Sequence, residues 1–325
     1  MAGDAGYEVV VRSRRAVAAG IDAWELGFAD GRDLPAWRPG AHLDVLVPAD
    51  ADDPGGPVLE RQYSLCGDPA DRTAWRIAVL REPGGRGGSE RLHRILEVGM
   101  VLRVRGPRNR FPLDPSPAYA FVAAGIGITA LLPMVRAAAA QGADWTLDYA
   151  GRSRSTMAFA AELVAAHGDR VRLHPGDEGV RLDLAAVLAA RPAGAPVYAC
   201  GPARLVDALE ELTATAPPGT LRTERFTARE LGEAVLQEPF EVELAMTGVT
   251  VTVPPDRSIL EVAEEAGALV LASCREGTCG TCETPVLEGS VEHRDSVLTL
   301  EEQADDRVMM VCVSRSRCPR LVLDL

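Results

Sequence analysis

The sequence contains no lysine, because its 34 basic side chains are all arginine. We attribute this to codon composition and draw no function from it. An excess of basic charge is also lacking, since 47 acidic residues give a formal net charge of −13. A protein that binds the phosphates of nucleic acid needs a basic surface. The charge therefore argues against a nucleic-acid partner.

Neither a signal peptide nor a membrane span is predicted. The first ten residues, MAGDAGYEVV, lack a basic segment followed by an apolar run. The longest uncharged stretch, residues 115–135, is long enough to cross a bilayer. Its Pro117, its Gly-Ile-Gly turn and its Pro133 instead favour a strand, a turn and a helix. We therefore expect a soluble, cytoplasmic protein with no membrane partner.

Cysteine is scarce, but its distribution is informative. The count is odd, three cysteines lie close together, and no secretion signal is visible. These features argue against a disulfide framework and indicate a metal site. The seven are Cys66, Cys200, Cys274, Cys279, Cys282, Cys312 and Cys318.

The segment CREGTCGTC, residues 274–282, has the spacing Cys-x4-Cys-x2-Cys. Zinc ribbons usually bring two Cys-x2-Cys pairs, whereas this spacing with a distant fourth cysteine is typical of plant-type 2Fe–2S ferredoxins. Such a cluster is negatively charged, and glycines let backbone N–H groups approach its sulfides. Gly277 and Gly280 stand where that approach is useful. The loop therefore predicts three ligands of a 2Fe–2S cluster.

The fourth ligand is either Cys312 or Cys318. Cys312 follows the apolar run RVMMV, which is typical of a buried strand that delivers a side chain to one place. Cys318 lies in the polar segment SRSRCPR, next to Pro319. We favour Cys312 as the ligand and interpret Cys318 as a structural or surface thiol.

The region around the cysteine loop predicts a small β-grasp ferredoxin domain over residues 238–325. EVELAMTGVTVTV alternates as two strands with a turn at Thr247-Gly248, and SILEVAEEAG indicates an amphipathic helix with Ile259, Val262 and Ala266 inward. Residues 241–325 hold 16 acidic residues against 7 arginines. This acidity fits either a solvated surface or a face that steers a basic partner.

The middle of the chain, residues 113–228, predicts an α/β domain with an open parallel sheet. YAFVAAGIGITALLPMV reads as strand, glycine turn and helix, and WTLDYAGRS and PVYACGPARLVDALEEL give further strands with turns. Such sheets bind ligands beyond the carboxyl ends of their strands, and a helix N-terminus there suits a pyrophosphate. Cys200 lies at such a strand end, where it is either a core thiol or a cofactor contact.

Residues 1–112 predict an antiparallel β-barrel of short strands between Gly/Pro turns. RQYSL places Arg61 and Tyr63 on one face of a strand and Ser64 on the other. GGRGGSERLH leads a glycine cluster into a helix, with Ser89 near the N-cap. Glycine backbone, a helix N-terminus and Arg86 form a plausible phosphate site, although each motif alone fits a turn with an exposed arginine.

Taken in order, these motifs resemble the phthalate dioxygenase reductase family, which includes vanillate demethylase reductases. The resemblance covers essentially the whole chain. It implies an FMN barrel, an NAD domain and a C-terminal plant-type ferredoxin that pass electrons from NADH to a terminal oxygenase. The motifs are RQYSL (61–65), GRGGS (85–89), GIGIT (125–129), CGP (200–202), CREGTCGTC (274–282), HRDSVL (293–298) and the tail LVLDL.

The resemblance also implies the site residues. The flavin contacts would be Arg61, Tyr63, Ser64, Leu65, Ala78, Val79, Arg86, Gly87, Gly88 and Ser89, with Phe226 of TERFTA against the flavin. The nicotinamide side would use Gly125, Gly127, Ile128 and Thr129, and opposite them Cys200, Gly201 and Pro202. Thr129, Cys200 and Phe226 would act by positioning, and the cluster ligands would be Cys274, Cys279, Cys282 and Cys312.

The segment GRSRS departs from what we expect of a strict NADH site, because it is more basic. Arg152 or Arg154 could meet the 2′-phosphate of NADPH, or could contact only the shared diphosphate or the adenine. We favour NADH.

These expectations combine into the reductase component of a multicomponent oxygenase. Hydride would pass from NADH to FMN, and single electrons through the cluster to an oxygenase of the Rieske type, which docks at the acidic ferredoxin domain. No general acid or base is required, so we name no catalytic residue. An alternative acceptor is a haem-thiolate monooxygenase. A plain iron–sulfur carrier or a reductase releasing free flavin would leave part of the chain without a use. Residues 227–239 are predicted to be a mobile linker.

Overall fold

A computed structural model describes residues 6–49 and 55–325. Residues 1–5, part of the stretch that predicted no signal peptide, lie outside the described residues. The chain forms two compact units, one ending at Glu224 and the other running from Arg225 to Leu325. The bounds 1–112, 113–228 and 238–325 for three domains stay predictions.

The first unit begins with a six-stranded antiparallel sheet in the order β4-β3-β6-β1-β2-β5. A bridge between Leu65 and Ile77 joins the outer strands β4 and β5, so the sheet curls into the expected barrel. Its core contains Trp24, Leu43 and Trp75. The elements are β1 Gly6–Ala18, β2 Ile21–Gly27, β3 Ala41–Val47, β4 Leu59–Ser64, β5 Trp75–Leu80, α1 Gly88–Ile95 and β6 Val101–Asn109.

The rest of this unit is a five-stranded parallel sheet in the order β11-β10-β7-β8-β9. The elements are β7 Ala118–Ala124, α2 Ile128–Ala140, β8 Asp144–Gly151, α3 Ala160–His167, β9 Val171–Pro175, α4 Leu184–Ala190, β10 Val197–Cys200, α5 Ala203–Thr213 and β11 Leu221–Glu224. Four short 3-10 turns, Gly125–Gly127, Arg154–Thr156, Gly168–Arg170 and Gly176–Glu178, connect them.

The central strand β7 shows why this sheet is covered on both faces. Its five inner residues are all buried, as is usual for a parallel strand between two layers of helices. Because side chains alternate along a strand, Tyr119 and Phe121 join one apolar cluster with residues of α2 and α3. Ala120 and Val122 join a second cluster with residues of α4 and α5. The parallel strands therefore end at one common edge, beside the glycine-containing turns that the sequence predicts.

The second unit contains a five-stranded sheet in the order β13-β12-β18-β14-β16 and a short β15-β17 pair. The helix α6 begins with a capping box, in which Ser258 and Glu261 each bond the other's backbone N–H. The elements are β12 Phe240–Leu244, β13 Val249–Val253, α6 Ile259–Glu265, β14 Glu283–Glu288, β15 Val291–Glu292, α7 Leu300–Ala304, β16 Val308–Met310, β17 Arg315–Ser316 and β18 Arg320–Leu323.

The fold class is confirmed, while one local prediction needs correction. On α6, the inward residues are Ile259, Leu260 and Ala263, whereas Ala266 is exposed because the helix has ended before it. Ser89 lies near the N-cap of α1, as predicted, because the N-cap is Gly87 and Ser89 is in the first turn. Over residues 6–49 and 55–325, no helix has both the length and the apolar character needed to cross a bilayer.

Candidate cofactor and cluster sites

The predicted flavin-binding segments meet at the end of β4. The Arg61 guanidinium donates to the backbone carbonyl of Arg86 at 2.6 Å and to that of Glu60 at 2.8 Å. A β-carbon on Gly88 would lie only 2.6 Å from Cγ of Arg61. The absence of a side chain at Gly88 therefore lets Arg61 cross the start of α1.

The start of α1 has the features of an anion site. Gly87, its N-cap, has a left-handed φ of 77°, and no side chain caps the helix within the part of the chain described. The Ser89 hydroxyl instead accepts from the backbone N–H of Glu82 at 3.1 Å. The N–H groups of the first turn and the nearby arginines are a donor set that fits the phosphate of FMN.

The remaining flavin candidates line the same part of the barrel. Burial raises the pKa of the Tyr63 hydroxyl, although Arg61 and Arg86 oppose the shift, so this phenol stays neutral. Leu65, Ala78 and Val79 are buried, and Leu65 closes the barrel against β5. The Val79 carbonyl lies 2.9 Å from Nε2 of His93. That carbonyl is thus already engaged in a hydrogen bond.

Two turns at the carboxyl edge of the parallel sheet touch each other. A β-carbon on Gly127 would lie 2.2 Å from the carbonyl oxygen of Cys200 and 2.7 Å from the nitrogen of Gly201. Only glycine permits this approach. The structure therefore brings together the GIGIT and CGP segments, which are 70 residues apart in sequence.

Polar contacts hold these turns in place. The Thr129 hydroxyl donates to the Ile126 carbonyl at 2.9 Å, and the Tyr149 hydroxyl donates to the Gly125 carbonyl at 3.2 Å. Ile128 begins α2, and Pro202 is the N-cap residue of α5. Two helix N-termini therefore flank the edge where a pyridine nucleotide would bind.

Glu224 is a residue of this site that the sequence analysis missed. Its carboxylate accepts from the Ser64 hydroxyl at 3.4 Å, and it stands in register with Cys200 on the neighbouring strand. Burial raises its pKa to about 8, and the bond from Ser64 only partly opposes this. The sequence feature that could have indicated Glu224 is its place as an acidic residue at the end of a strand, two positions before Phe226.

Cys200 is fully buried. Burial, and then the nearby Glu224, raise the pKa of its thiol well above the usual value, so the side chain is a neutral thiol at physiological pH. This favours positioning by Cys200 rather than thiolate chemistry. Phe226 is 37% exposed and lies in the second compact unit, and its place against the flavin stays a prediction.

The two arginines of GRSRS differ in their surroundings. Arg154 makes a two-pronged contact with Glu178, at 2.6 and 3.0 Å, and this contact lowers the pKa of Glu178. Arg152 is exposed, and its guanidinium has no ion-pair partner among the described residues. Its backbone carbonyl accepts from the N–H of Asp177 at 2.9 Å. Arg152 is thus the arginine available to a nucleotide.

The four predicted cluster ligands are buried, with exposed fractions of 8% for Cys274, 2% for Cys279, 3% for Cys282 and 7% for Cys312. Cys274 contacts the thiols of Cys279 and Cys312, and Cys282 contacts Cys312. Since the thiols share hydrogen bonds, the pKa of Cys274 is lowered while the pKa values of Cys279 and Cys312 are raised.

Paired thiols suit a binuclear cluster better than a single ion. Within the described ranges, no three Cys, His, Asp or Glu side chains are arranged to hold one metal ion. A 2Fe–2S cluster instead needs four thiolates spread over two irons. All seven cysteines are free thiols, so none of the four is lost to a disulfide.

The backbone of the loop directs N–H groups at the cysteine sulfurs, where they would stabilise the negative charge of such a cluster. The N–H groups of Glu276 and Thr278 both point at Sγ of Cys274 at 3.4 Å, and the N–H of Thr281 lies 3.5 Å from Sγ of Cys279. Gly277 and Gly280 have left-handed φ angles of 70° and 73°. The turns at these two glycines direct several backbone N–H groups toward the cysteine sulfurs. Such donors stabilise negative charge on sulfur.

Comparisons with known proteins bear on the whole arrangement. Residues 242–317 match the model of the 2Fe-2S iron-sulfur cluster binding domain. The putative toluene-4-sulfonate monooxygenase system reductase subunit of Comamonas testosteroni is 43% identical over 99% of both chains. The solved structure of a phthalate dioxygenase reductase, described as a modular structure for electron transfer from pyridine nucleotides to [2Fe-2S], is 37% identical. It covers 98% of both chains with a TM-score of 0.68.

The chain belongs to the phthalate dioxygenase reductase family. As a member, it is an NAD(P)H-dependent oxidoreductase and the reductase component of a multicomponent oxygenase. Its cofactors are FMN and a 2Fe–2S cluster, and its electron donor is a pyridine nucleotide, NAD(P)H. The resemblance found in the sequence motifs is thereby confirmed.

A crystal structure of an intact type IV self-sufficient cytochrome P-450 monooxygenase also matches, at 44% identity over 98% of this chain with a TM-score of 0.90. The match takes in only 41% of that protein's chain. The curated relative from Comamonas is, in contrast, a reductase subunit matched over its whole length. The haem-thiolate alternative is therefore not favoured for this member of the phthalate dioxygenase reductase family.

The choice between Cys312 and Cys318 can be tested directly. Sγ of Cys318 lies 3.3 Å from the N–H of Ser290 and 3.0 Å from the carbonyl of Arg320, and contacts none of the other six cysteines in the described chain. We expect Cys312→Ser to lose most of its iron and its iron–sulfur absorbance, because one iron lacks a thiolate. Cys318→Ser, the matched control, should keep both. The reverse pattern in an iron and sulfide assay would contradict the assignment.

The raised pKa of Glu224 predicts a pH-dependent stability. A carboxyl group with a pKa near 4.5 unfolded and about 8 folded contributes stability below pH 4.5 that is lost as the pH rises through 8. Between pH 5 and 8.5, the unfolding free energy of the wild type should therefore fall further than that of Glu224→Gln, by on the order of 2–4 kcal/mol. All four tryptophans precede residue 146, so tryptophan fluorescence in urea reports the first unit. Glu162→Gln serves as the exposed control, and equal pH slopes in Glu224→Gln and wild type would refute the shift.

Proposed function

We propose that this chain carries electrons from NADH to a terminal oxygenase of the Rieske type in the cytoplasm. One observation supports it above the others. A single chain contains a nucleotide site at the carboxyl edge of its parallel sheet, an anion site on its barrel, and four buried cysteines, three of them in one loop. Free thiols throughout the chain suit a reducing compartment.

The barrel residues would hold FMN by its phosphate and along its ring. Arg61, Arg86 and the first turn of α1 would bind the phosphate, because they supply cationic and N–H donors at one place. Tyr63 offers a neutral aromatic surface beside them. Bound FMN supplies the change from a two-electron hydride donor to a one-electron acceptor.

The turns at the sheet edge would position the nicotinamide. Gly127 and Gly201 allow the two turns to pack closely, and the nicotinamide would lie against them at the carboxyl edge of the sheet. Cys200, as a neutral thiol, and Ser64, bonded to Glu224, would fix where that ring lies. With its raised pKa, Glu224 would carry no charge at neutral pH and so would not repel an electron-rich donor.

NADH is favoured over NADPH by the loop that follows β8. A 2′-phosphate would need a cation with no competing anion, but Arg154 is already held by Glu178. The carboxylate of Glu178 would also repel the phosphate, because the two carry like charge. Arg152 would then contact the diphosphate or the adenine that both nucleotides share.

This interpretation predicts a shift in cofactor preference. We expect Glu178→Gln to raise kcat/KM for NADPH by about three- to tenfold, because it removes one charge and releases Arg154. The value for NADH should change little. Glu162→Gln, which breaks the exposed ion pair with Arg136 at 2.6 Å, is the matched control. Steady-state kinetics with ferricyanide as acceptor measure both, and an unchanged NADPH value would contradict the role of Glu178.

The oxygenase would dock beside the cluster loop. Ala268, Val270 and Ala272 pack on the core of the second unit, while Leu269 and Leu271 between them are 100% and 57% exposed. The side chains of this segment thus alternate as in a strand, and its two leucines face solvent. The second of them, Leu271, lies three residues before Cys274. An acceptor must reach the cluster, and the acidic net charge of residues 241–325 suits a partner with a basic rim.

Reconstitution tests both the acceptor and the docking surface. With the purified Rieske oxygenase of a multicomponent system, NADH should support product formation, and Leu269→Ser/Leu271→Ser should raise KM for the oxygenase roughly thirtyfold, at about 1 kcal/mol per leucine. Leu287→Ser is the control, since Leu287 is 54% exposed and lies five residues along a strand from Cys282. Coupling only to a haem-thiolate enzyme would overturn the Rieske proposal. Equal KM values for both variants would overturn the docking surface.

A further inference from the structure

The segment that connects β11 to β12, residues 225–239, forms no helix or strand. Part of it is nevertheless bound to the ferredoxin domain. The N–H of Val235 donates to Oε2 of Glu292 at 3.0 Å, and the guanidinium of Arg294 donates to the carbonyl of Gly232. Leu236 packs against the apolar core of the same domain. The predicted mobile linker is therefore anchored over its second half.

Glu292 and Arg294 are unusual among charged residues because both are nearly buried, with side chains 11% exposed. Burying an ion pair costs more than the attraction returns unless the groups also form good hydrogen bonds. Their own contact is loose, at 3.6 Å. Their shorter bonds go to the linker backbone, and charge-assisted bonds of that kind are strong. The pair is thus arranged to hold the linker rather than to bond mainly to itself.

The same stretch of chain also reaches the cluster loop. The backbone N–H of Arg294 donates to the Ser314 hydroxyl at 3.2 Å, and that of Ser296 donates to the Gly277 carbonyl at 2.8 Å. A β-carbon on Gly277 would lie 3.1 Å from Cα of Asp295. One short segment, residues 292–296, therefore contacts the linker at one end and the cluster loop at the other.

We propose that Glu292 and Arg294 form a clamp that fixes the linker at residues 232–235 and thereby positions the cluster for electron transfer from the flavin. The two are positioning residues, since neither is a ligand of the cluster. Seven residues, 225–231, lie between Glu224 and Gly232, the first residue that the clamp holds. Without it, fifteen residues, 225–239, would precede β12.

The difference in chain length sets the size of the expected effect. Seven residues span at most about 24 Å and fifteen about 50 Å when fully extended. The effective concentration of a tethered group falls roughly as the −3/2 power of tether length, which gives a decrease of about threefold on release. Cluster reduction should slow by about that factor. Flavin reduction by NADH should not change, because Phe226 precedes the residues that the clamp holds and the other predicted flavin and nicotinamide contacts all lie in the first unit.

The test uses the full-length protein with its cofactors and the variant Glu292→Gln/Arg294→Met, which removes both charges and so leaves neither buried alone. Hydrogen exchange of peptides within residues 229–239 gives a readout independent of activity. We expect the amide protection of residues 232–236 to be lost in the variant, while peptides of residues 274–282 keep theirs. Stopped-flow absorbance with NADH under anaerobic conditions then gives the two reduction rates separately.

A second pair of variants leaves the ferredoxin core untouched. Val235→Pro deletes the N–H that donates to Glu292, whereas Leu231→Pro alters a residue whose N–H makes no hydrogen bond in the described chain. Val235 and Leu231 are 67% and 48% exposed, so neither change disturbs packing. Val235→Pro should slow cluster reduction and deprotect its neighbours, and Leu231→Pro should do neither.

Three results would overturn the clamp. One is fast exchange of residues 232–236 in the wild type, which would mean that no clamp exists in solution. The second is loss of protection without slower cluster reduction, which would mean that the clamp does not position the cluster. The third is an equal effect of the two proline variants. The inference takes electron transfer from flavin to cluster as given, and a wild type that reduces its flavin but never its cluster would instead refute that electron path.

Discussion

The close packing of two glycine turns, Gly127 against Cys200-Gly201, is the contact on which the nucleotide site depends. It brings the carboxyl ends of β7 and β10 to one point and fixes two helix N-termini beside them. Once these are fixed, Glu224 follows, because its strand pairs in register with β10 and places the carboxyl group beside Cys200 and Ser64. A larger residue at position 127 would separate all of these groups.

The two compact units divide the chemistry. The first supplies a neutral, largely buried environment, in which Tyr63, Cys200 and Glu224 all have raised pKa values because burial disfavours their charged forms. The second supplies the opposite, a loop whose N–H groups turn inward to stabilise negative charge on sulfur. An uncharged site suits hydride transfer, and a donor-rich loop suits a cluster that gains an electron.

Much of this could be predicted from sequence because the relevant signals are local. The cysteine spacing, the glycine turns and the alternation of strands and helices each lie within a short stretch of chain. The role of Glu224 could not be predicted, because its environment is formed by Ser64 and Cys200, which are distant from it in sequence. The hydrogen bond from Val235 to Glu292 could not be predicted for the same reason. A polar segment without periodicity does not indicate which residues bind its backbone. The inward position of Ala266 was wrong because the sequence pattern did not show where α6 ends.

The central claim is that one chain connects a pyridine nucleotide to a cluster through a flavin. An anaerobic absorbance titration of the purified protein with substoichiometric NADH tests it most directly, because flavin and iron–sulfur bands can be followed together. The account predicts that both bands bleach. Bleaching of the flavin band alone would mean that the cluster does not receive electrons from it, and the electron path described here would be contradicted.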